Sequence, residues 1–316
     1  MVDSASWRPG ADVATLRRRA ALLQAIRDFF QRRGLLEVET PLLSAAAVTD
    51  PALHSLSAVD ATAGERWYLQ TSPEFAMKRL LAAGSGSIWQ VARVVRGGER
   101  GRRHNPEFSM LEWYRTGWDH HRLMGEVAQL IASVAGDRRP RIRTYAEVLS
   151  PLGVDAHGDD PERLAAAAAG HGLDVPDGLD RDGLLDLLLS HLITPGLGRD
   201  GVVDFVHAFP VSQAALARLD PGPPPTAERF ECYLEGMELA NGFHELADAG
   251  EQRRRFEADL AVRRRHGLAE PPLDECLLAA LEHGLPDCAG VALGLDRLFM
   301  VALGRASIAE VMAFPS

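Results

Sequence analysis

Arginine, histidine and acidic residues are concentrated at residues 96–115, in the segment RGGERGRRHNPEFSMLEWYR. Side chains alternate along a strand, so Phe108, Glu112 and Tyr114 share one face in its second half. An aromatic ring can stack on a nucleobase, an arginine can hold a phosphate, and a carboxylate can hold an ammonium group. The segment therefore predicts a nucleotide site, with Arg96 at the phosphates, beside an amine site. The alternative is a half-exposed strand after an ordinary charged hairpin.

A second group of carboxylates lies in the segment ERFECYLEGMELANGFHEL, which begins at residue 228. If residues 228–241 form one strand, Glu231, Asn241 and Glu245 have the same parity, whereas Glu238 has the other. So many carboxylates on a strand are costly unless Mg²⁺ or positively charged substrate groups neutralise them. An edge strand with its charges facing water is the alternative interpretation.

Two further segments place polar groups where a helix begins. The segment GVALGLDRLFM ends a strand at Gly294 and begins a helix that carries Arg297, which can lie over a base or reach a phosphate. Gly290 and Gly294 permit a ligand to approach the backbone closely. The segment TSPE, residues 71–74, is typical of a helix start, with Ser72 as the cap, Pro73 at the first helical position and Glu74 favoured by the helix dipole. A routine strand–helix junction and an ordinary cap are the alternatives.

Hydrophobic periodicity predicts the elements that must position these residues. The predicted helices are Thr15–Arg33, Pro73–Ala83, His120–Ala135, Ala249–His266 and Asp274–His283. The predicted strands are residues 35–40, Trp67–Gln70, Ile88–Val95, Glu107–Thr116, Val202–Phe209 and Glu228–Asn241, followed by a strand–helix junction at Ala289–Leu303. We interpret residues 1–316 as a single domain, with a variable insertion of small helices at about 138–225.

Composition limits the classes of function. The 316 residues are 46% hydrophobic and carry a formal net charge of -10, which argues against a broad surface for binding nucleic acid. Three widely spaced cysteines lack CxxC spacing, so neither a zinc site nor a disulfide framework is indicated. The chain shows neither a signal peptide nor the roughly 20 apolar residues needed to cross a bilayer. We therefore expect a cytoplasmic protein with no membrane association.

Together these segments resemble the signature motifs of class II aminoacyl-tRNA synthetases, and specifically of the lysyl subgroup. FFQRRGLLEVETPLL is similar to motif 1, which forms the dimer interface in that family, and ends here in Pro41-Leu-Leu. VVRGGERGRRHNPEFSMLEWYR is similar to motif 2 and GVALGLDRLFM to motif 3, while TSPEFAMKRLL and MELANGFHEL resemble the lysyl-type pocket. The resemblance implies an α+β fold, with an antiparallel sheet flanked by helices, and a homodimer.

Within this subgroup the chain resembles the elongation factor P β-lysine ligases. Only about a dozen residues precede the first predicted helix, so we expect no anticodon-binding domain, and Ala292 stands where lysyl-tRNA enzymes have glycine. The resemblance implies that (R)-β-lysine or lysine is activated with ATP and Mg²⁺ as an adenylate. It also implies transfer to a lysine side chain of elongation factor P, with tRNA an unlikely acceptor.

The resemblance also implies residue roles, with Arg96 and Arg297 as the catalytic residues. The implied ATP-binding residues are Arg96, Gly98, Glu99, His104, Asn105, Phe108, Glu238, Leu239, Gly294 and Arg297, with Glu231 and Glu238 as ligands of Mg²⁺. The implied substrate-binding residues are Ser72, Pro73, Glu74, Glu112, Tyr114, Asn241, Phe243, Glu245 and Ala292. Motif 2 normally reads Arg-x-Glu, but this chain has Gly98 followed by Glu99, so either the Gly98 backbone or the Glu99 carboxylate fills that role.

Three other functions remain open at this point. A free-standing lysyl-tRNA ligase would share the pocket but needs a basic surface for tRNA, which the net charge of -10 disfavours. An asparagine-forming ligase would need cationic residues where this chain has Glu74 and Glu245. A non-catalytic, adenylate-binding regulatory paralogue is disfavoured because Arg96, Glu238 and Arg297 are present.

Overall fold

The computed structural model describes residues 7–316. The helices are α1 (Val13–Gln31), α2 (Glu74–Ala82), α3 (His120–Ala135), α4 (Tyr145–Leu149), α5 (Pro161–Gly170), α6 (Arg181–Leu188), α7 (Ala249–Arg265), α8 (Glu275–Gly284) and α9 (Leu295–Ala302). The strands are β1 (Leu36–Glu37), β2 (Leu43–Ser44), β3 (Ser57–Val59), β4 (Arg66–Leu69), β5 (Ile88–Val95), β6 (Glu107–Thr116), β7 (Arg139–Thr144), β8 (Val202–Pro210), β9 (Leu219–Asp220), β10 (Thr226–Leu234), β11 (Met237–His244) and β12 (Cys288–Gly294).

One large sheet organises these elements. Its strands follow the order β1-β5-β6-β12-β11-β10-β8-β7, and β9 pairs with β10. The outer pairs β1–β5 and β7–β8 are parallel, whereas the pairs between them are antiparallel. A small antiparallel sheet has the order β2-β4-β3. The α+β fold expected from the sequence, an antiparallel sheet flanked by helices, is confirmed.

The main hydrophobic core lies between one face of the large sheet and the helices α1, α3 and α9. Phe30 of α1 stacks on Trp89 of β5 at 4.8 Å between ring centroids and lies 5.3 Å from Trp113 of β6. Burying each of these large side chains stabilises the fold by roughly 1.5–3 kcal/mol. Because the core occupies this face, polar side chains of the same strands lie on the other face.

The prediction of one long strand over residues 228–241 is wrong, since the segment forms the hairpin β10–β11. Glu235 and Gly236 connect the two strands with φ angles of 53° and 67°. Two residues with positive φ make a tight turn whose twist matches that of the flanking strands. The sequence signal was the dipeptide Glu-Gly, whose glutamate seldom adopts this conformation.

A bulge in β11 changes which side chains share a face. Cys232 pairs with Ala240 and Tyr233 pairs with Glu238, so Leu239 is an extra residue on β11. The extra residue turns Glu238 to the same face as Asn241. The sequence pattern had placed these two residues on opposite faces.

The start of α2 also differs from its prediction. Pro73 occupies the N-cap position, and no side chain caps the helix, so the predicted capping by Ser72 is wrong. The predicted strand at residues 35–40 is reduced to the two residues of β1. Glu74 does lie in the first turn of α2, as predicted.

The segment at about 138–225 begins and ends within the large sheet. The charged strand β7 was not predicted, whereas β8 lies where a buried strand was expected. The helices α4, α5 and α6 pack around a second core that includes Tyr145, Leu185 and Phe209. The division into one domain with an insertion stays a prediction.

Among residues 7–316, no helix is both long enough and apolar enough to cross a bilayer.

Candidate active site

The polar face of the large sheet gathers residues from five strands into rows. Gln90, Glu112, Ala292, Asn241 and Glu231 occupy successive paired positions on β5, β6, β12, β11 and β10. Directly paired residues project to the same side of a sheet. Three residues predicted to bind substrate, Glu112, Asn241 and Ala292, therefore lie on one surface, although their positions are distant in sequence.

The next row lies two residues further along each strand. Tyr114, Gly290, Phe243 and Arg229 form it on β6, β12, β11 and β10. Side chains two residues apart on a strand share a face, so both rows belong to the same surface. At β6, this brings Tyr114 beside Glu112.

A buried lysine lies near Glu112, at one end of this surface. Lys78 Nζ lies 2.7 Å from Glu74 Oε1 and 2.6 Å from Glu245 Oε2. The exposed fraction is 1% for Lys78 and 2% for Glu245. Sequence reasoning missed Lys78. Its only signal was the i, i+4 spacing from Glu74, which is typical of a solvated pair on a helix surface.

Burial and mutual charge determine the protonation of this cluster. Burial alone would lower the pKa of Lys78, but the carboxylates of Glu245 and Glu74 outweigh it and raise that pKa. Burial raises the pKa of Glu245 to about 7, against the opposing effect of Lys78. Burial and the nearby Glu74 carboxylate raise the pKa of Glu112 well above its usual range. The pocket is therefore short of positive charge, and an ammonium group would supply it.

Glu112 offers an unsatisfied acceptor in this pocket. Tyr114 donates its hydroxyl hydrogen to Glu112 Oε1 at 2.7 Å. Glu112 Oε2 is buried and has no hydrogen-bond partner within residues 7–316. A buried acceptor without a donor costs about 1–3 kcal/mol. A donor from a ligand would remove this cost.

Gly290 of β12 creates the space in which two of these side chains lie. A Cβ atom added at Gly290 would come within 2.3 Å of Tyr114 Cε1 and 2.5 Å of Glu245 Oε1. The sequence predicted that Gly290 admits a ligand, but the atoms closest to it belong to the pocket wall. At Gly294 the nearest contact of an added Cβ is 3.7 Å, so packing within the chain does not require glycine there.

Arg297 of α9 is held by three hydrogen bonds. It donates from Nε to the Arg103 carbonyl at 3.2 Å, from Nη1 to the Glu238 carbonyl at 2.9 Å, and from Nη2 to His104 Nε2 at 2.6 Å. Arginine has no acceptor, so His104 Nε2 must accept and its proton must lie on Nδ1. Burial and the charge of Arg297 lower the pKa of His104, which agrees with a neutral ring.

Arg96 lies beside the predicted adenine-stacking ring. Its guanidinium carbon is 5.4 Å from the centroid of Phe108, and its Nε donates to the Thr71 carbonyl at 3.2 Å. Gly98 has a φ of 80° and shapes the turn, whereas Glu99 Oε1 lies 3.7 Å from Arg96 Nη1. The carboxylate near Arg96 is thus that of Glu99, which lies one residue after the position of the glutamate in the usual Arg-x-Glu motif.

The two predicted Mg²⁺ ligands lie on the same face. Glu231 accepts hydrogen bonds from Arg229 and Tyr233, both of which sequence reasoning missed. Burial and the charge of Glu231 raise the pKa of Glu238 to about 7, although Arg297 opposes the shift. Carboxylate oxygens are the ligands that Mg²⁺ prefers, so this pair fits a divalent cation.

The two predicted metal ligands and Arg297 line a cavity of about 410 Å³. Its walls carry three acidic side chains, three arginines and one histidine. They are Asp186, Glu231, Glu238, Arg103, Arg229, Arg297 and His104. A cavity that combines carboxylates with several arginines suits a polyphosphate and its metal ion.

Two residues predicted to bind ATP have side chains that contact other parts of the protein. The Asn105 amide donates to the Glu107 carbonyl at 2.6 Å and accepts from the Ser316 amide at 2.8 Å. The Leu239 side chain lies in the main core and is 3% exposed. Asn105 therefore braces the loop between β5 and β6, and the side chain of Leu239 lies on the face opposite the cavity.

Comparisons with known proteins give matches to synthetases and to ligases of a single name. A family model described as class II tRNA synthetases (D, K and N) matches residues 7–180 and 195–316. The elongation factor P–(R)-β-lysine ligase of Vibrio cholerae serotype O1 is 50% identical over 321 residues, covering 99% of each chain. The ligases of the same name from Yersinia enterocolitica serotype O:8 and Edwardsiella ictaluri are 49% and 50% identical, covering 100% and 99% of this chain and 99% and 98% of their own.

Proposed function

Because the chain belongs to the class II tRNA synthetase family (D, K and N), we propose that it is an ATP-dependent amino-acid ligase that modifies elongation factor P with (R)-β-lysine. The relatives that carry this name align with nearly the whole chain. A lysine isomer is the amino acid to be activated, and a lysine side chain of elongation factor P is the acceptor. Such a reaction would take place in the cytoplasm, where translation occurs.

The observation that carries this proposal is the carboxylate pocket on the sheet. Glu74, Glu112 and Glu245 converge there, and Lys78 balances only one of their three potential negative charges. A lysine isomer has two ammonium groups, which match the remaining two charges. A substrate with an acidic side chain, such as aspartate, would be repelled. The pocket therefore supports a diamino acid over the asparagine-forming alternative.

The neighbouring arginines suit the activation step. The substrate carboxylate attacks the α-phosphorus of ATP, an oxygen–phosphorus bond forms, and the bond to the leaving pyrophosphate breaks. Arg96 would hold the α-phosphate, where negative charge grows, while Phe108 and Arg297 would enclose the adenine. Mg²⁺ held by Glu231 and Glu238 would neutralise phosphate charge. His104, whose ring is neutral, would place Arg297 and the phosphates.

In the transfer step the acceptor amine attacks the carbonyl carbon of the mixed anhydride. A carbon–nitrogen bond forms, the carbon–oxygen bond to AMP breaks, and the amine loses a proton. Glu74, Glu112 and Glu245 would keep the substrate in place by its ammonium groups, while Asn241 would orient its carboxyl carbon. Ser72, Pro73, Phe243 and Ala292 would shape the pocket.

The chemistry is tested by parallel transfer of labelled lysine, in its α and (R)-β forms, with ATP and Mg²⁺. Purified elongation factor P and tRNA serve as the two acceptors. Label on the protein, with (R)-β-lysine preferred, is the expected outcome. Label on tRNA would instead support a free-standing lysyl-tRNA ligase. Adenylate formation is measured separately by ATP–pyrophosphate exchange, and its absence with both isomers would contradict a ligase for lysine.

We also propose that the chain forms a homodimer through the region around β1 and the small sheet. Large apolar side chains are exposed there, which is uncommon unless a surface is covered by a partner. They are Leu36, Leu42, Leu43, Leu56 and Val59, and their exposed fractions are 55%, 39%, 47%, 46% and 57%. This region includes the segment that resembles motif 1.

A further inference from the structure

Three imidazole rings meet where α3 begins, on the core-facing side of the large sheet. The ring centroids are 4.1 Å apart for His120 and His121, 5.1 Å for His121 and His207, and 6.3 Å for His120 and His207. One ligand nitrogen from each ring lies within 4.8 Å of the others. The cluster brings together the first turn of α3 and strand β8, which are distant in sequence.

The cluster lies on the opposite side of the sheet from the ATP cavity. His207 pairs with Phe230, whose side chain lies in the main core. Paired residues share a face, so His207 points away from the face of Glu231. The histidines are therefore separate from the proposed Mg²⁺ ligands, which also differ from them in donor chemistry.

His120 is the buried member, and its hydrogen bonding is incomplete. It is 5% exposed, and its Nδ1 atom has no hydrogen-bond partner within residues 7–316. Burial and the neighbouring His121 and His207 lower the pKa of His120 to about 3, and burial also lowers the pKa of His207. A buried ring nitrogen without a hydrogen-bond partner is available to a metal ion.

The charges around the cluster favour a cation. Asp119 and Glu147 lie near His120 and His207, and the Asp119 side chain caps the N-terminus of α3. His244, a fourth ring, lies 6.4 Å from His120 between centroids. Its Nδ1 and Nε2 atoms lie 2.7 Å and 2.9 Å from carboxylate oxygens of Glu228 and Asp287. His120, Glu228 and His244 form a second group whose ligand atoms lie within 4.8 Å of one another, and His244 Nδ1 has no hydrogen bond within residues 7–316. The group of His120, His121 and His207 differs from it because all three ligands are imidazole nitrogens.

We propose that His120, His121 and His207 bind one divalent transition-metal ion of the zinc type. Three imidazole nitrogens suit Zn²⁺, Co²⁺, Ni²⁺ or Cu²⁺, whereas Mg²⁺ prefers oxygen ligands. Zn–N bonds of about 2.0–2.1 Å place tetrahedral ligands about 3.4 Å apart, so the nitrogens must approach one another. The exposed His121 and half-buried His207 can rotate inward, and a water molecule would occupy the fourth position.

The test is zinc binding by the full chain, prepared without a polyhistidine tag, stripped with a chelator and dialysed. Isothermal titration with Zn²⁺ should show one site that excess Mg²⁺ does not displace. His121→Ala should weaken binding by about tenfold or more, as should His207→Ala. His283→Ala, which changes an exposed histidine elsewhere, is the matched control and should bind as the unaltered protein does.

X-ray absorption at the zinc edge then distinguishes the ligands. Three nitrogen neighbours at about 2.0–2.1 Å, with the pattern of imidazole, are expected. Two outcomes would overturn the proposal: no stoichiometric binding by the unaltered chain, or unchanged binding in both His121→Ala and His207→Ala. Neither measurement depends on ligase activity, so this site and the proposed function can fail independently.

Discussion

At the scale of single residues, Lys78 determines the net charge of the carboxylate pocket formed by Glu74, Glu112 and Glu245. Its ammonium group contacts Glu74 and Glu245 and leaves only part of their charge for a ligand. The pKa of Glu245 is about 7 even with this neighbour, because the carboxyl is buried. Without Lys78 that pKa would rise further, and the carboxyl would be neutral at pH 7. In the proposed function Lys78 would act on the substrate through Glu245, as a positioning residue.

We therefore expect Lys78→Met to raise the KM for the amino acid by about tenfold or more at pH 7. The KM for ATP should change little. We expect Glu245 to bind an ammonium group only when its carboxyl is ionised. The affinity of the protein for the amino acid should therefore rise as the pH rises through the pKa of Glu245, and fall below it. In Lys78→Met the pH at which this affinity rises should move from about 7 to a higher value.

The measurement is the pH profile of KM for both substrates in the unaltered chain and the variant. An equal rise of both KM values at every pH would indicate general damage to the fold. Glu245→Gln is the companion variant. It should weaken binding of the amino acid, but it should not shift the pH profile of its KM toward alkaline pH.

Arg297 illustrates a different kind of residue, since its geometry is fixed before any ligand binds. Two backbone carbonyls and His104 orient its guanidinium group at the cavity. Arg297→Ala should reduce ATP–pyrophosphate exchange by about 10²–10³-fold, because a preorganised charge is lost. The thermal unfolding curve should remain close to that of the unaltered chain. Retained exchange in a folded variant would contradict the role of Arg297.

At the scale of elements, strand β12 is the floor of the pocket because it lacks large side chains on its polar face. Gly290 and Ala292 leave room for side chains from β6 and β11 on either side. Gly290→Ala would force Tyr114 and Glu245 aside, since the added methyl would lie 2.3 Å and 2.5 Å from their atoms. Such overpacking typically costs about 1–3 kcal/mol.

We expect Gly290→Ala to weaken binding of the amino acid by about 10-fold to 100-fold while ATP binding is largely retained. Isothermal titration with each ligand measures both. Gly125→Ala in α3 is the matched control, because an added Cβ there meets nothing within 4 Å. Unchanged affinity for the amino acid in Gly290→Ala would show that the pocket adapts or lies elsewhere.

Most elements could be predicted from the sequence because their periodicity is strong. The helices α1, α3 and α7 and the strands β5 and β6 lie where the pattern placed them, within a few residues. β7 was missed because its residues, RPRIRT, contain three arginines and a proline around a single isoleucine and resemble a charged linker. The β10–β11 turn was missed because both flanking segments favour strands and only Glu235-Gly236 separates them.

Contacts between elements were the part that the sequence could not supply. Lys78 looks like a surface residue until α2 is placed beside Glu245, the residue that follows β11. Glu238 faces the cavity only because Leu239 bulges, and a bulge depends on the partner strand. The predicted set of pocket carboxylates could be proposed because each lies within a recognisable segment. The basic residues that pair with these carboxylates and with Glu231 could not be proposed in the same way. Lys78 and Arg229 lie in no sequence pattern that distinguishes a buried charge from a solvated one.

At the scale of the whole molecule, the exposed apolar region around the small sheet predicts self-association. Leu43 of β2 is 47% exposed, and Leu43→Asp should shift a dimer toward monomer because a charge would be buried at the interface. Sedimentation equilibrium measures the change. Ile142→Asp on β7, at a side chain that is 52% exposed, is the matched control. A monomeric unaltered chain, or an equally stable dimer in Leu43→Asp, would contradict the proposed interface.

The position of β12 in the sheet also affects how the chain is synthesised. Among the strands of residues 7–316, β12 is synthesised last, yet it lies between β6 and β11, both made earlier. Until residue 294 has emerged, those two strands have open edges that can pair with other chains. A nascent chain halted before residue 288 should therefore be sensitive to protease and dependent on chaperones. The proposed substrate pocket and the protection from aggregation are therefore both completed when β12 is added to the sheet.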